Sequence, residues 1–69
     1  PEEQRVSLRI YDINGRYVRE LLVASLPAGE HTVGWDGTDR TGKSLASGIY
    51  LYRLETVGEV QTRKMLLLQ

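Results

Sequence analysis

The chain has 69 residues, no cysteine, nine basic and nine acidic side chains, and a formal net charge of zero. A chain of this length forms one small domain and is too short for a nucleotide-binding α/β fold. Its balanced charge creates no global field that would attract nucleic acid or an anionic membrane, so we expect neither as a partner. Disulfides and thiolate metal sites are excluded, and no apolar run approaches the roughly 20 residues of a membrane-spanning helix.

The first part of the chain predicts two strands joined by a tight turn. Residues 6 to 12 alternate apolar and polar side chains, which is typical of a half-buried strand. The dipeptide Asn14-Gly15 follows and predicts a hairpin turn in which both residues adopt positive φ. A returning strand is expected over residues 17 to 22, although residues 19 to 22 also fit a helical turn.

The remainder of the chain is rich in strand patterns. The expected elements, in order, are a turn at 26–30, a strand at 31–35, a polar loop at 36–47, a strand at 48–57, a turn at 58–59 and a strand at 60–68. About five strands separated by turns containing Gly, Asn or Pro, without a long helix, predict a small all-β sandwich or barrel.

The segment GTDRTGKS at residues 37 to 44 matches the phosphate-binding pattern G-x-x-x-x-G-K-[ST]. Phosphate binding there needs a strand before the loop and a helix directly after it, because the helix N-terminus faces the anion. Gly48 and a run of β-branched and aromatic residues follow instead, so no useful helix can begin at Lys43. We therefore interpret the segment as a turn-rich loop between two strands.

Asp36 and Asp39 make calcium an alternative for the same loop. The positions after Asp36 that an EF-hand would use hold Thr38, Arg40 and Thr41, which do not match its pattern of oxygen ligands and glycine. The other interpretation is that both aspartates accept hydrogen bonds from nearby backbone amides and shape turns. We favour that interpretation and expect neither a metal nor another cofactor.

No pattern indicates catalysis. His31 has no partner in the sequence that would make it the base of a nucleophilic site. Trp35, Tyr50 and Tyr52 could form a sugar-stacking platform, but their alternation with smaller residues favours packing in a core. The basic pair Arg63-Lys64 is too sparse for a nucleic-acid surface. The sequence therefore predicts a protein that is not an enzyme.

Several segments taken together resemble the C-terminal sorting domain of the type IX secretion system, and equally the immunoglobulin-like domain of the flagellar hook-capping protein. These segments are 6–12, 15–16, 29–31, 35–39, 42–43, 46–54 and 63–65. The resemblance covers nearly the whole chain and implies an Ig-like sandwich. In such domains the Trp-Asp-Gly and Gly-x-Tyr segments support the fold, and the Gly-Lys pair lies in the loop that joins them.

The resemblance also implies which residues matter and how far the domain extends. Sorting domains have a strand before the segment that begins here at Val6, so we expect residues 1–69 to be one Ig-like domain that lacks its first strand. We expect it to be the C-terminal module of a longer secreted protein. The residues expected to support the fold are Gly15, Trp35, Asp36, Gly37, Asp39, Gly42, Gly48, Tyr50, Tyr52 and Lys64.

The function implied by the resemblance is a non-catalytic sorting and surface-attachment module of a secreted bacterial protein, located outside the cell or at its surface. Its partners would be the secretion machinery, the parent protein or copies of itself, and residues 48–68 would carry the signal. The alternative is a structural subunit of an extracellular polymer assembled through strand edges. The candidate edge is apolar on both faces and consists of Met65, Leu66, Leu67 and Leu68.

Overall fold

The structure is a computed structural model that describes residues 4–27 and 33–69. It contains four strands, which are β1 (Gln4–Asp12), β2 (Tyr17–Leu26), β3 (Gly48–Thr56) and β4 (Glu59–Leu67). All neighbours are antiparallel, and the strand order across the single sheet is β2-β1-β3-β4. The prediction of an all-β fold is confirmed. The described residues contain no helix long and apolar enough to cross a membrane.

Two strand predictions differ from the structure. Residues 19 to 22 belong to a strand, so the helical alternative is wrong, and β2 continues to Leu26. Of the strand predicted at 31–35, His31 and Thr32 lie outside the described residues, as does most of the turn predicted at 26–30. Val33 to Trp35 form no strand. The indole N–H of Trp35 bonds to the carbonyl of Thr38, which directs this segment into a loop.

The turn between β1 and β2 is built around Asp12 rather than around two residues with positive φ. Its carboxylate oxygen Oδ1 accepts hydrogen bonds from the amides of Asn14 and Arg16, both at 2.9 Å. Gly15 has φ of 84°, whereas no described residue other than glycine has positive φ. The amide of Gly15 donates to the Asp12 carbonyl, and the amide of Asp12 donates to the Arg16 carbonyl. The prediction of positive φ at Asn14 is therefore wrong, because the carboxylate stabilises a wider turn that ends in a left-handed glycine.

One face of the sheet is apolar, and we call it the groove face. Its centre is fixed by strand register, which places Leu8 between Leu22 of β2 and Leu54 of β3, and Ile10 beside Tyr52. Ile10 is 1% exposed and is the one buried hydrophobic side chain in the described part of the chain. The residues that form this face are Val6, Leu8, Ile10, Leu22, Leu26, Tyr52, Leu54, Met65 and Leu67, with Val33 and Trp35 at one end.

The opposite face carries an exposed ion network. Arg9 lies in the centre of the sheet, with its Nε 3.2 Å from Glu20 and a terminal nitrogen 4.0 Å from Glu55. Arg53 lies 3.1 Å from Glu55. Because charged side chains remain solvated at low cost only where water reaches them, this face is suited to solvent.

Replacing Ile10 with alanine tests whether this residue is the centre of the core. We expect Ile10→Ala to lower the free energy of unfolding by about 2–5 kcal/mol, since it removes a buried side chain and leaves a cavity. Val57→Ala is the control, because Val57 is 81% exposed, and its effect should stay within about 0.5 kcal/mol. Urea denaturation followed by circular dichroism measures both. Equal losses would contradict the assignment of Ile10 as the centre of the core.

Candidate docking surface

The groove face forms an open concavity of about 840 Å³. Its lining side chains are apolar or aromatic apart from Gln4 and Thr56, and none of the described lining residues carries a charge. A sheet with an apolar face is normally covered by a second layer of structure. Within the described residues, only the segment that begins at Val33 reaches over this face. The concavity is therefore an uncovered packing surface.

Trp35 closes one end of the groove and is firmly held. Its ring meets that of Tyr50 edge to face, with centroids 5.4 Å apart and planes at 77°. Its Nε1 donates to the carbonyl of Thr38 at 2.9 Å, so the polar end of the indole is satisfied. The hydroxyl of Tyr50 donates to the carbonyl of Ala46, while Tyr52 faces the groove. This arrangement favours packing over a flat platform for sugar stacking.

In the loop whose sequence resembles a phosphate site, backbone amides donate to a side chain of the loop itself. Oδ1 of Asp39 accepts hydrogen bonds from the amide and the hydroxyl of Thr41 at 2.8 and 2.6 Å, and from the amide of Lys43 at 3.1 Å. A phosphate loop would instead need free amides around the anion. A strand beginning at Gly48 follows the loop in place of a helix. The loop is therefore unsuited to binding nucleotide.

Asp36 makes similar local bonds. Its Oδ1 accepts from the amide of Thr38 at 3.1 Å and from the hydroxyl at 2.6 Å, and Arg19 lies 3.8 Å away. Arg19 also donates to the Thr38 hydroxyl. The described residues contain no group of three or more acidic, histidine or cysteine side chains placed to hold a metal ion. Asp36 therefore serves to connect the loop to β2.

The loop repeats the turn that joins β1 to β2. As with Asp12, the amide of Asp39 donates to a carbonyl four residues later, at Lys43, and the amide of Gly42 donates to the Asp39 carbonyl. Gly42 has φ of 89°, in the left-handed region where other residues are strained. The shared pattern is Asp-x-[Asn/Thr]-Gly-[Arg/Lys]. Sequence reasoning missed this repeat, although the spacing of Asp, Gly and a basic residue was visible.

The two turns lie at the same end of the sheet. The guanidinium of Arg40, in the second turn, lies 5.8 Å from the ring centre of Tyr17, which follows the first turn. Tyr17 also packs edge to face against Tyr11 of β1. These contacts brace the loop against the hairpin.

Gln69 also holds the loop in place through hydrogen bonds. Gln69 donates from its side chain to the carbonyl of Gly37 at 3.1 Å, and from its backbone to the hydroxyl of Ser47 at 2.9 Å. Gly37 is buried and has φ of 78°. A Cβ there would lie 2.5 Å from Nε2 of Gln69 and 3.0 Å from Leu67, so a side chain would displace Gln69, and the positive φ would strain it in any case. No sequence signal identified Gln69 as a partner of this glycine.

The remaining predicted positions do not gather into one site. Gly48 begins β3, and Lys64 lies exposed on β4 opposite Leu51. The structure brings together the loop and groove residues, namely Trp35, Asp36, Gly37, Asp39, Gly42, Tyr50 and Tyr52. Their shared effect is to shape and hold one end of the groove.

The antiparallel sheet and its loop define a small immunoglobulin-like domain, and comparison with known proteins agrees. The chain belongs to the FlgD Ig-like domain family, whose model matches residues 2–59. It is similar to the basal-body rod modification protein FlgD of Salmonella typhimurium and to that of Salmonella typhi. Each is 41% identical over 46 residues, which are 67% of this chain and 20% of the relative. The chain thus spans about a fifth of the length of these relatives. No solved structure matches it.

These findings correct the function inferred from the resemblance. The flagellar alternative is supported, whereas the type IX sorting module is wrong, because the matching family and both relatives are flagellar. The location at the cell surface and the role in secretion depended on the sorting module and are wrong with it. The extracellular polymer is not supported either. The segments that carry the resemblance did not identify the function. Their residues Gly37, Asp39 and Gly42 shape the fold, and a shared fold does not identify a function.

The carboxylate hydrogen bonds predict how the loop responds to acid. Bonds from Thr38 lower the pKa of Asp36, and bonds from Thr41 lower the pKa of Asp39, relative to the usual 3.8. A carboxyl group with a lowered pKa in the folded state contributes stability above its unfolded pKa and loses it as pH falls through the folded value. We therefore expect the amide shifts of Thr41 and Lys43 to follow an acid transition whose midpoint lies below pH 3.8.

A pH titration followed by amide NMR measures this effect. In Asp39→Asn, which keeps an oxygen acceptor but cannot titrate in this range, the two amide shifts should no longer follow the acid transition. A midpoint at or above pH 3.8 in the unmodified chain would contradict the role given to the Asp39 carboxylate.

Proposed function

We propose that the chain is a non-catalytic Ig-like module, extending over residues 1–69, of a protein that acts in assembly of the flagellar basal body. The name of the Salmonella relatives supports this role. The structural observation that carries it is the uncovered, uncharged groove face. Such a surface serves packing between protein layers, and the module's partners are accordingly proteins.

The occupant of the groove face is a layer of structure from the longer protein to which the module belongs. The Salmonella relatives are about five times as long as the matched segment, so they contain ample chain to supply that layer. Fully burying one large apolar side chain contributes roughly 1.5–3 kcal/mol, and several half-exposed ones are available here. The groove also presents Trp35, Tyr52 and Met65, residue types that are enriched at the centres of protein interfaces.

The loop prepares this surface for docking. Trp35 is held by Thr38 and Tyr50, and Gln69 and Arg19 fasten the loop that carries it. A side chain that is already ordered before binding loses less conformational entropy when the partner arrives. The hydrogen bonds of the loop therefore act in docking by holding the aromatic end of the groove in place.

A chimera tests the proposal. The aligned segment of the Salmonella typhimurium protein would be replaced by this chain in a strain lacking its own copy, and basal-body assembly and swimming motility would be scored. We expect the chimera to restore both. Leu22→Glu should abolish the restoration, because it places a carboxylate in an apolar interface at a cost of several kcal/mol.

Val23→Glu is the matched control, since Val23 is the next residue of the same strand and lies on the opposite face, where it is 40% exposed. Circular dichroism of both isolated variants checks that the sheet still forms. A chimera that fails to assemble, or one in which Leu22→Glu and Val23→Glu behave alike, would count against groove-mediated docking.

A further inference from the structure

The end of β4 is apolar on both faces although it lies at the edge of the sheet. β4 pairs with β3, and no other described strand lies beside it. Met65 and Leu67 line the groove, and the register pairs Leu66 with Ile49. Because adjacent residues of a strand alternate, the Leu66 side chain points to the opposite face, although the residue also borders the groove. Leu66 is 61% exposed and Ile49 is 40% exposed. An edge strand with one face in water normally has polar side chains on that face.

The first part of β4 is exposed and largely polar. From Glu59 to Lys64 every residue is exposed, and all but Val60 are polar or charged. Charged side chains on an edge strand oppose pairing with an arbitrary neighbouring strand. Along this half, strand addition is therefore disfavoured unless the neighbouring strand carries complementary charge, whereas it is open beside Met65 to Leu68.

Arg63 and Lys64 lie where these two halves meet. The ion pairs in the described part of the chain are made by Arg9, Arg19 and Arg53, so neither of these two cations has a carboxylate partner there. Adjacent residues of a strand point to opposite faces, which places one positive charge on each side of the edge. A neighbouring strand with acidic residues beside Arg63 and Lys64 would therefore find one cation on each face of the sheet.

We propose that the outer edge of β4 from Arg63 to Leu67, continued by Leu68, accepts an extended segment of a different protein, with apolar residues beside Met65–Leu68 and acidic residues beside Arg63 and Lys64. Backbone hydrogen bonds provide the affinity in this mode of binding, and side-chain chemistry provides the specificity. A second copy of the chain that paired through the same residues does not fit this description, because between Arg63 and Leu68 it brings the same cations and no carboxylate. The proposal concerns the backbone edge of the strand, although Met65 and Leu67 also belong to the groove face.

Two synthetic peptides test the charge requirement on the unmodified chain. The first has a run of alternating valine and threonine followed by two glutamates, an order that suits antiparallel pairing, and the second has lysines in place of the glutamates. We expect the glutamate peptide to bind more tightly, by up to about 25-fold, since two exposed ion pairs contribute up to roughly fivefold each. Fluorescence anisotropy gives the affinities. Amide NMR should show new protection from exchange in β4 between Arg63 and Leu68.

Charge reversal provides the second measurement. The double variant Arg63→Glu, Lys64→Glu should reverse the preference, so that the lysine peptide binds more tightly. The matched control is Arg5→Glu, Arg16→Glu, which makes the same change in charge at exposed positions on β1 and its turn and should leave the preference unchanged. Equal affinity for the two peptides, absence of binding by both, or protection at β2 would overturn the proposal. The same protection appearing at high protein concentration without peptide would also overturn it, in favour of self-pairing.

Discussion

The structure depends on the packing of one apolar sheet face that the described residues leave largely uncovered. A four-stranded sheet needs a second layer to bury its apolar side, yet in the described part of the chain burial is complete for a hydrophobic side chain only at Ile10. That residue lies on β1, an inner strand of the sheet, and has neighbours from β2 and β3. The other apolar residues of the face remain partly open to water, and this is the basis of the proposal that the face packs against a further layer of protein.

The described part of the loop before β3, residues 33–47, covers one end of this face. Its carboxylates at Asp36 and Asp39 accept hydrogen bonds from backbone amides that would otherwise lack partners, so these residues hold their shape with little regular structure beyond the bridge between Thr38 and Ser44. Gly37 allows Gln69 to approach closely, and Trp35 is thereby held over the end of the groove. The phosphate-like motif in this segment is thus explained by turn geometry.

The strands were predictable where side chains alternate, because a half-buried sheet imposes a period of two, as at Val6, Leu8 and Ile10. The assignment of residues 19 to 22 to a strand was less predictable, since two register shifts against β1 interrupt that period there. Hydrogen bonds that join distant residues, such as Gln69 to Gly37, leave no local signal. The sequence did not decide between the two families it resembles, because the residues that carry the resemblance determine the fold.

The most direct measurement of the central claim is the solvent accessibility of groove methyl groups, detected by NMR with a soluble paramagnetic probe. In the isolated chain, the methyls of Leu8, Leu22 and Leu54 should relax strongly. In the chimera with the Salmonella protein they should become protected, whereas Val23 and Val60 on the opposite face should not change. Groove methyls that remain equally accessible in the chimera would contradict the claim that this face packs against the rest of the longer protein.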